Sequence, residues 1–185
     1  MNAPRLHTPR LRLVAQTAEL ARAEIGDPAG FVRLLDADVP AGWPPPLNDQ
    51  DSRTWALHAL EANPDAVGWV LWYLLKAEGS RPPAIGVAGF KGPPVDGVCE
   101  VGYSVMPDQQ RQGYATEAVQ ALLHRAFGFP EVSTVLAHTF PELLPSIGVM
   151  KKCGFTLDGP GEEAGTVRYG LTRASFFSHP SDGPG

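Results

Sequence analysis

Cysteine is scarce in this 185-residue chain, with only Cys99 and Cys153 present. The two lie far apart and form no metal-ligand spacing, so no metal site is expected. Two isolated thiols also argue against a disulfide scaffold and favour a reducing compartment. Charge is thin as well: 19% of residues are charged and the formal net charge is -5. No run of Lys and Arg builds a basic patch, which excludes duplex nucleic acid as an expected partner, because phosphate neutralisation needs clustered cations. No stretch reaches the roughly 20 apolar residues of a membrane helix. The first ten residues lack the apolar centre of a secretion signal. The expectation is a soluble, cytoplasmic protein with no membrane partner.

Glycine and proline, by contrast, are plentiful, at 20 and 19 residues. They gather into short clusters at 40–46, 79–83, 92–97 and 159–165 and after 179. Spread in this way they punctuate one domain, expected over residues 1–178, and leave 179–185 as a short flexible tail. No internal repeat is visible. The hydrophobic fraction of 43% suits an ordinary globular core.

Between the clusters the periodicity changes repeatedly. Alternation over 10–14 predicts a first strand, and the Ala/Leu/Glu-rich stretch 17–25 predicts a helix. A second helix over 51–61 places Trp55, Ala56, Ala59 and Leu60 on one stripe. Strands follow at 68–75, 84–90 and 99–105, joined by hairpin-type breaks. The clearest helix spans 115–127, with Ala115, Ala118, Val119, Leu122, Leu123 and Ala126 in helical register. A strand at 134–139, a helix at 146–152 and strands at 155–157 and 167–171 complete the order. A helix between strands 99–105 and 134–139 implies one parallel pair in an otherwise antiparallel sheet. The predicted fold class is therefore α/β with a mixed sheet.

The most informative stretch is Gln110-Arg111-Gln112-Gly113-Tyr114-Ala115-Thr116, between a strand and a strongly amphipathic helix. A helix's first turn offers free N–H groups and the positive end of its dipole. Glycine and a small residue there let a phosphate approach the backbone. The stretch is neither a nucleotide P-loop nor a dinucleotide fingerprint, since Gly-Lys-Ser/Thr and Gly-x-Gly-x-x-Gly are both missing. It resembles the pyrophosphate loop of the GNAT superfamily of N-acetyltransferases, Gln/Arg-x-x-Gly-x-Gly/Ala, with Gln110, Gly113 and Ala115 at the defining positions. Glu100-Val101-Gly102-Tyr103-Ser104-Val105 looks like that family's central strand, and Ser146-Ile147 through Gly154-Phe155 like its closing helix and turn. The opening Thr8-Pro9-Arg10-Leu11-Arg12-Leu13 is similar to the first strand of the ribosomal-protein-alanine acetyltransferase subgroup. The likeness covers 98–155 well, the start less well and 26–63 poorly.

The resemblance implies a GNAT-like domain in which the central strand and its parallel neighbour splay apart to admit acetyl-CoA as co-substrate. It places pantetheine pairing at Val105 and Met106, with the pyrophosphate on Arg111, Gln112, Gly113, Tyr114, Ala115 and Thr116. The implied reaction is direct attack of a primary amine on the thioester. Such an attack needs a deprotonated amine close to the carbonyl and a stabilised oxyanion. Glu100, on the central strand, and His138, ending the parallel strand, are alternative bases. Two family positions differ here. Leu143 stands where an Asn often binds the pantetheine, and Met150 where a Tyr often serves as acid. Ser146 is left as a candidate for the acid, against a simple helix-cap role. Glu117 reads as a carboxylate compensating the helix dipole, and Cys153 as a packed thiol. The segment 31–48, with Trp43 and three prolines, is the expected acceptor wall, where Asp36 and Asp38 are available to attract a cation. Expected partners are a small-molecule or peptide amine and, as an open option, a second copy of the chain. The alternatives are a GNAT-fold acyl-CoA sensor without turnover and a partner-binding α/β domain with no ligand.

Overall fold

Strand-forming and helix-forming patterns alternate along the chain. The computed structural model describes residues 3–178 and contains eight strands and six α-helices among them. The first half runs β1 (Arg5–His7), β2 (Leu11–Ala15), α1 (Ala18–Gly26), α2 (Pro28–Leu35), α3 (Gln50–Ala62), β3 (Leu71–Lys76) and β4 (Ala84–Phe90). The second runs β5 (Val98–Val105), α4 (Tyr114–Phe127), β6 (Thr134–Thr139), α5 (Leu144–Lys152), β7 (Thr156–Pro160), β8 (Val167–Thr172) and α6 (Arg173–Ser178). The tail anticipated at 179–185 lies outside the described residues.

All eight strands join one sheet in the order β1-β2-β3-β4-β5-β6-β8-β7. The expected single parallel pair is β5 with β6, and α4 makes the crossover between them. Alternate side chains of β3 serve opposite layers. Trp72 and Leu74 pack in the core that α4 shares, while Tyr73 and Leu75 pack with Leu20, Ala23, Phe31 and Leu35 of α1 and α2. Covered on both faces, β4 is buried along its whole length, as an interior strand must be. On α4 the predicted stripe is buried at Ala118, Val119, Leu122, Leu123 and Ala126. Ala115, in the first turn, is only half-buried.

Several elements differ from the pattern reading. The reading omits α2, although Asp27 accepts a hydrogen bond from the Gly30 N–H at 2.9 Å and Pro28 opens the helix. That is the usual partnership of an N-cap with proline in the first turn. It also omits β1 and α6, which at three and six residues are too short to show periodicity. The strand read from 68 starts at Leu71, because Gly68 has φ +85° and breaks the extended run. Trp55, placed on the apolar stripe, is 47% exposed. The contact of α3 with α1 is narrow enough that only Ala56 and Leu60 of α3 are buried.

Leu122 has no exposed surface and sits between α4 and the sheet. Leu122→Ala should lower unfolding free energy by about 2–5 kcal/mol, read as a shift of the urea midpoint without a change of slope.

Candidate functional site

The end of β5 and the start of α4 are joined by a turn whose hydrogen bonds point inward. The Met106 N–H donates to Ile85 O at 2.8 Å, and the Met106 carbonyl accepts from the Gln109 N–H at 2.9 Å. Both backbone groups of Met106 are thus engaged within the protein. Of the two residues expected to pair with a ligand's arm, Met106 has its N–H committed to β4. Gln110 donates from Nε2 to Val105 O at 3.0 Å, tying the turn to the strand. Arg111 and Gly113 both adopt positive φ, 62° and 84°, which glycine accepts freely and arginine at a cost. Gly113 is the N-cap of α4 and has no side chain to cap it. The first helical bond runs from the Glu117 N–H to Gly113 O at 3.0 Å. The N–H groups of Tyr114, Ala115 and Thr116 therefore precede any intrahelical acceptor and collect at the positive end of a 14-residue helix.

Beside this turn the sheet opens. β5 and β6 pair only at Val98↔Thr134, Cys99↔Val135 and Glu100↔Leu136. Past that point β5 continues along β4 to Val105, and β6 continues along β8 to Thr139. Because the Met106 N–H faces β4, strand alternation turns the backbone groups of Tyr103 and Val105 toward the gap.

Side chains from both faces meet the opening. Glu100 and His138, read as alternative bases, lie in contact: His138 Nδ1 is 3.1 Å from Glu100 Oε1. Lys91 Nζ approaches the same oxygen at 2.5 Å. His138 Nε2 is buried without a hydrogen-bond partner among the described residues. On the opposite face, the Tyr103 hydroxyl donates to Ser146 O at 3.0 Å and lies 3.2 Å from Ser146 Oγ. Burial pushes the Tyr103 hydroxyl up to about 12. α5 begins at Leu144, two residues before the expected start, with Leu143 as its N-cap and no side-chain cap bond. Ser146 is therefore inside the helix, and its cap role is corrected to a hydroxyl pair with Tyr103. Met150 is 1% exposed and belongs to the core. Burial lifts the Cys153 thiol to about 12, which leaves it inert, as read.

The expected acceptor wall stands against this opening. Ser104 Oγ donates to Pro46 O, and a Cβ on Gly42 would lie 3.5 Å from Met106 Cε. Trp43 is held from below, its Nε1–H donating to Glu24 Oε1 at 2.8 Å. Glu24 Oε2 accepts from the Tyr73 hydroxyl at 2.7 Å and from Gln16 Nε2 at 3.2 Å. Burial raises the Glu24 carboxyl above its ordinary range despite these hydrogen bonds. A cavity of about 80 Å³ is lined by Asp38, Met106, Asp108 and Gln109 among others. Asp36 instead ends α2 in a left-handed conformation, exposed, and does not line this cavity.

Comparison with known proteins decides the family. The acetyltransferase (GNAT) domain profile matches residues 10–156. The chain belongs to the GNAT acetyltransferase family. The chain is 27% identical over 161 residues to the uncharacterized N-acetyltransferase YjdG of Bacillus subtilis, covering 85% of this chain and 93% of that protein. YnaD of the same organism, also an uncharacterized N-acetyltransferase, is 40% identical over 60 residues, 32% of this chain and 35% of that one. Among solved structures, the ribosomal-protein-S5-alanine acetyltransferase of Vibrio fischeri aligns at TM-score 0.65 and 14% identity, over 92% and 97% of the two chains. The aminoglycoside acetyltransferase AAC(6')-Ib in complex with coenzyme A aligns at TM-score 0.57 and 22% identity, over 91% and 98%.

Neither Tyr103 nor Glu24 is among the site residues read from the sequence of this GNAT domain. Tyr103 carried a usable signal, since it lies three positions after Glu100 on one strand and odd spacing alternates faces. Glu24 carried none, because its partners Gln16, Tyr73 and Trp43 come from four separate segments with it.

The raised Glu24 carboxyl has a measurable sign. Between its unfolded value near 4.5 and its higher folded value, the folded state holds more protons, so rising pH removes stability across that window. The stability of wild type minus that of Glu24→Gln should therefore fall as pH climbs from about 4.5, measured by urea unfolding at each pH.

Proposed function

We propose that this chain is an acetyl-CoA-dependent N-acetyltransferase acting on a primary amine of a protein N-terminus or small molecule. The observation that carries the reading is the uncapped first turn of α4 beside the gap between β5 and β6. Three converging amides with no intrahelical acceptor suit a pyrophosphate. The gap has the form of a slot for an extended arm, with the Tyr103 and Val105 backbone groups along its edge.

In this reading the amine and the departing sulfur meet opposite faces of the sheet. The amine arrives on the side of Glu100, His138 and the acceptor wall, where Asp38 and Asp108 attract it as a cation. About 10 Å of strand separates Glu100 from Tyr103, so the proton travels to the Glu100–His138 pair through water. Attack forms the C–N bond, and the Val105 N–H supports the oxyanion. Collapse breaks the C–S bond, and the thiolate leaves on the side where Ser146 and Tyr103 place their hydroxyls. A thiol pKa near 8.5 makes that thiolate a fair leaving group, so the demand on these hydroxyls is small.

The test is calorimetric titration with acetyl-CoA, followed by thiol release across a panel of amines. Absence of acetyl-CoA binding sinks the proposal. Binding without thiol release on any amine leaves an acyl-CoA sensor, the reading that Leu143 and Met150 would favour.

Two variant sets examine the chemistry. Glu100→Gln should lower kcat at neutral pH by about 10²–10⁴-fold, the usual worth of a general base, with partial recovery at alkaline pH. Because Glu100 and His138 touch, Glu100→Gln/His138→Ala should lose little more than the worse single variant. Ser146→Ala removes no cap and should leave the melting temperature nearly unchanged. A fall in kcat there supports the hydroxyl pair, and a wild-type kcat removes Ser146 from the mechanism.

A further inference from the structure

Glu117 sits one residue beyond the free amides of α4, where a negative charge should repel an incoming phosphate. Its surroundings point the other way. Glu117 Oε1 accepts from the Thr8 hydroxyl at 2.6 Å and from the Arg10 backbone N–H at 2.9 Å. Its Oε2 accepts from Arg10 Nε at 2.6 Å. The Glu117 side chain is 14% exposed. Arg10 then reaches past the helix, and Nη1 donates to Gln112 O at 2.8 Å. The guanidinium lies over the Tyr114 ring at 4.8 Å, and a Cβ on Gly113 would come within 3.2 Å of its Nη2. One arginine thus bonds to the first turn of the helix and to the loop before it, touching Tyr114 between them.

We propose that Glu117 is a positioning residue for the anion-binding turn, acting through Thr8 and Arg10, and that its carboxylate strengthens coenzyme A binding. This deepens the acetyltransferase reading and rests on it. The turn holds two positive-φ residues, one of them Arg111, and such a conformation persists only when its surroundings over-determine it. Left unclamped, the Gln112 carbonyl and the amides after it would have to be ordered at the moment of binding, a cost that preorganisation removes. Arg10 offsets the Glu117 charge, so the repulsion of the phosphates is small while the ordering is retained. The burial that would raise the Glu117 carboxyl is outweighed by the Thr8 and Arg10 bonds, which hold it below the ordinary range. It therefore stays ionised at neutral pH.

The two views of Glu117 predict opposite signs. If it merely repels phosphate, E117Q tightens binding. If it holds the turn, E117Q weakens binding even though a like charge has been removed. Calorimetric titration with coenzyme A should give an approximately tenfold higher Kd for E117Q, and a similar loss for R10K, which keeps the charge but not the forked donors. In thiol-release assays the loss should fall on KM for acetyl-CoA and not on KM for the amine. The double variant E117Q/R10K should bind about as well as the weaker single one, since both break the same clamp. Should E117Q fail to fold, T8V removes one bond to the carboxylate and should weaken coenzyme A about two- to threefold. An unchanged or lower Kd in E117Q, or in T8V where E117Q does not fold, overturns the proposal. Wild-type protein that binds no coenzyme A would overturn the acetyltransferase reading itself, whereas normal wild-type binding with unchanged variants overturns the clamp alone.

Discussion

Beyond Glu100 and Leu136, β5 and β6 stop pairing while each keeps its other neighbour. The site described here depends on that interruption. A sheet gives up strand-to-strand hydrogen bonds only where something else fixes the strands, because unpaired backbone groups are costly when buried. Here β4 holds one side and β8 the other, so the gap is built into the resting fold. The helices follow from it. α4 must cross from the end of β5 to the start of β6, which brings its N-terminus to the mouth of the gap. α5 leaves the far end of β6 and lays Ser146 across from Tyr103.

The two faces of the opening differ in chemistry for a reason of strand geometry. Side chains alternate, so Glu100 and Tyr103 project to opposite sides, and His138 joins Glu100 while Ser146 joins Tyr103. A carboxylate–imidazole pair and a hydroxyl pair are thereby kept apart by the thickness of one sheet. On the first side the proline-rich segment around Trp43 rests on the buried Glu24. Its rigidity is thus secured from beneath as well as by its prolines.

Much of the frame is legible in the sequence. The stripe of α4, the parallel crossover and the turn at 110–116 all rest on local patterns, and local patterns survive folding when burial rewards them. Trp55 shows where this fails. It had the right spacing, but α3 contacts too little of the molecule to bury a full stripe. The cap reading of Ser146 failed differently, since the helix starts two residues before that serine, at Leu144. Among the candidate site residues, the contact between Glu100 and His138 was invisible because it depends on register between strands whose paired residues, such as Glu100 and Leu136, lie 36 positions apart. The Arg10–Glu117 contact spans 107 positions. Such separations leave no trace in periodicity.

The backbone of Met106 is satisfied internally while Tyr103 and Val105 face the gap. Polar groups along that edge therefore recur at every second residue, about 6.6–6.8 Å apart. This spacing is a ruler cut into the wall of the slot. A linear chain lying there finds partners only if its own polar groups keep the same interval, and an arm one methylene longer or shorter falls out of step. On the proposed reading, length would be read along the strand before any side chain is consulted, and the reacting end would be delivered at a fixed depth relative to both faces of the sheet.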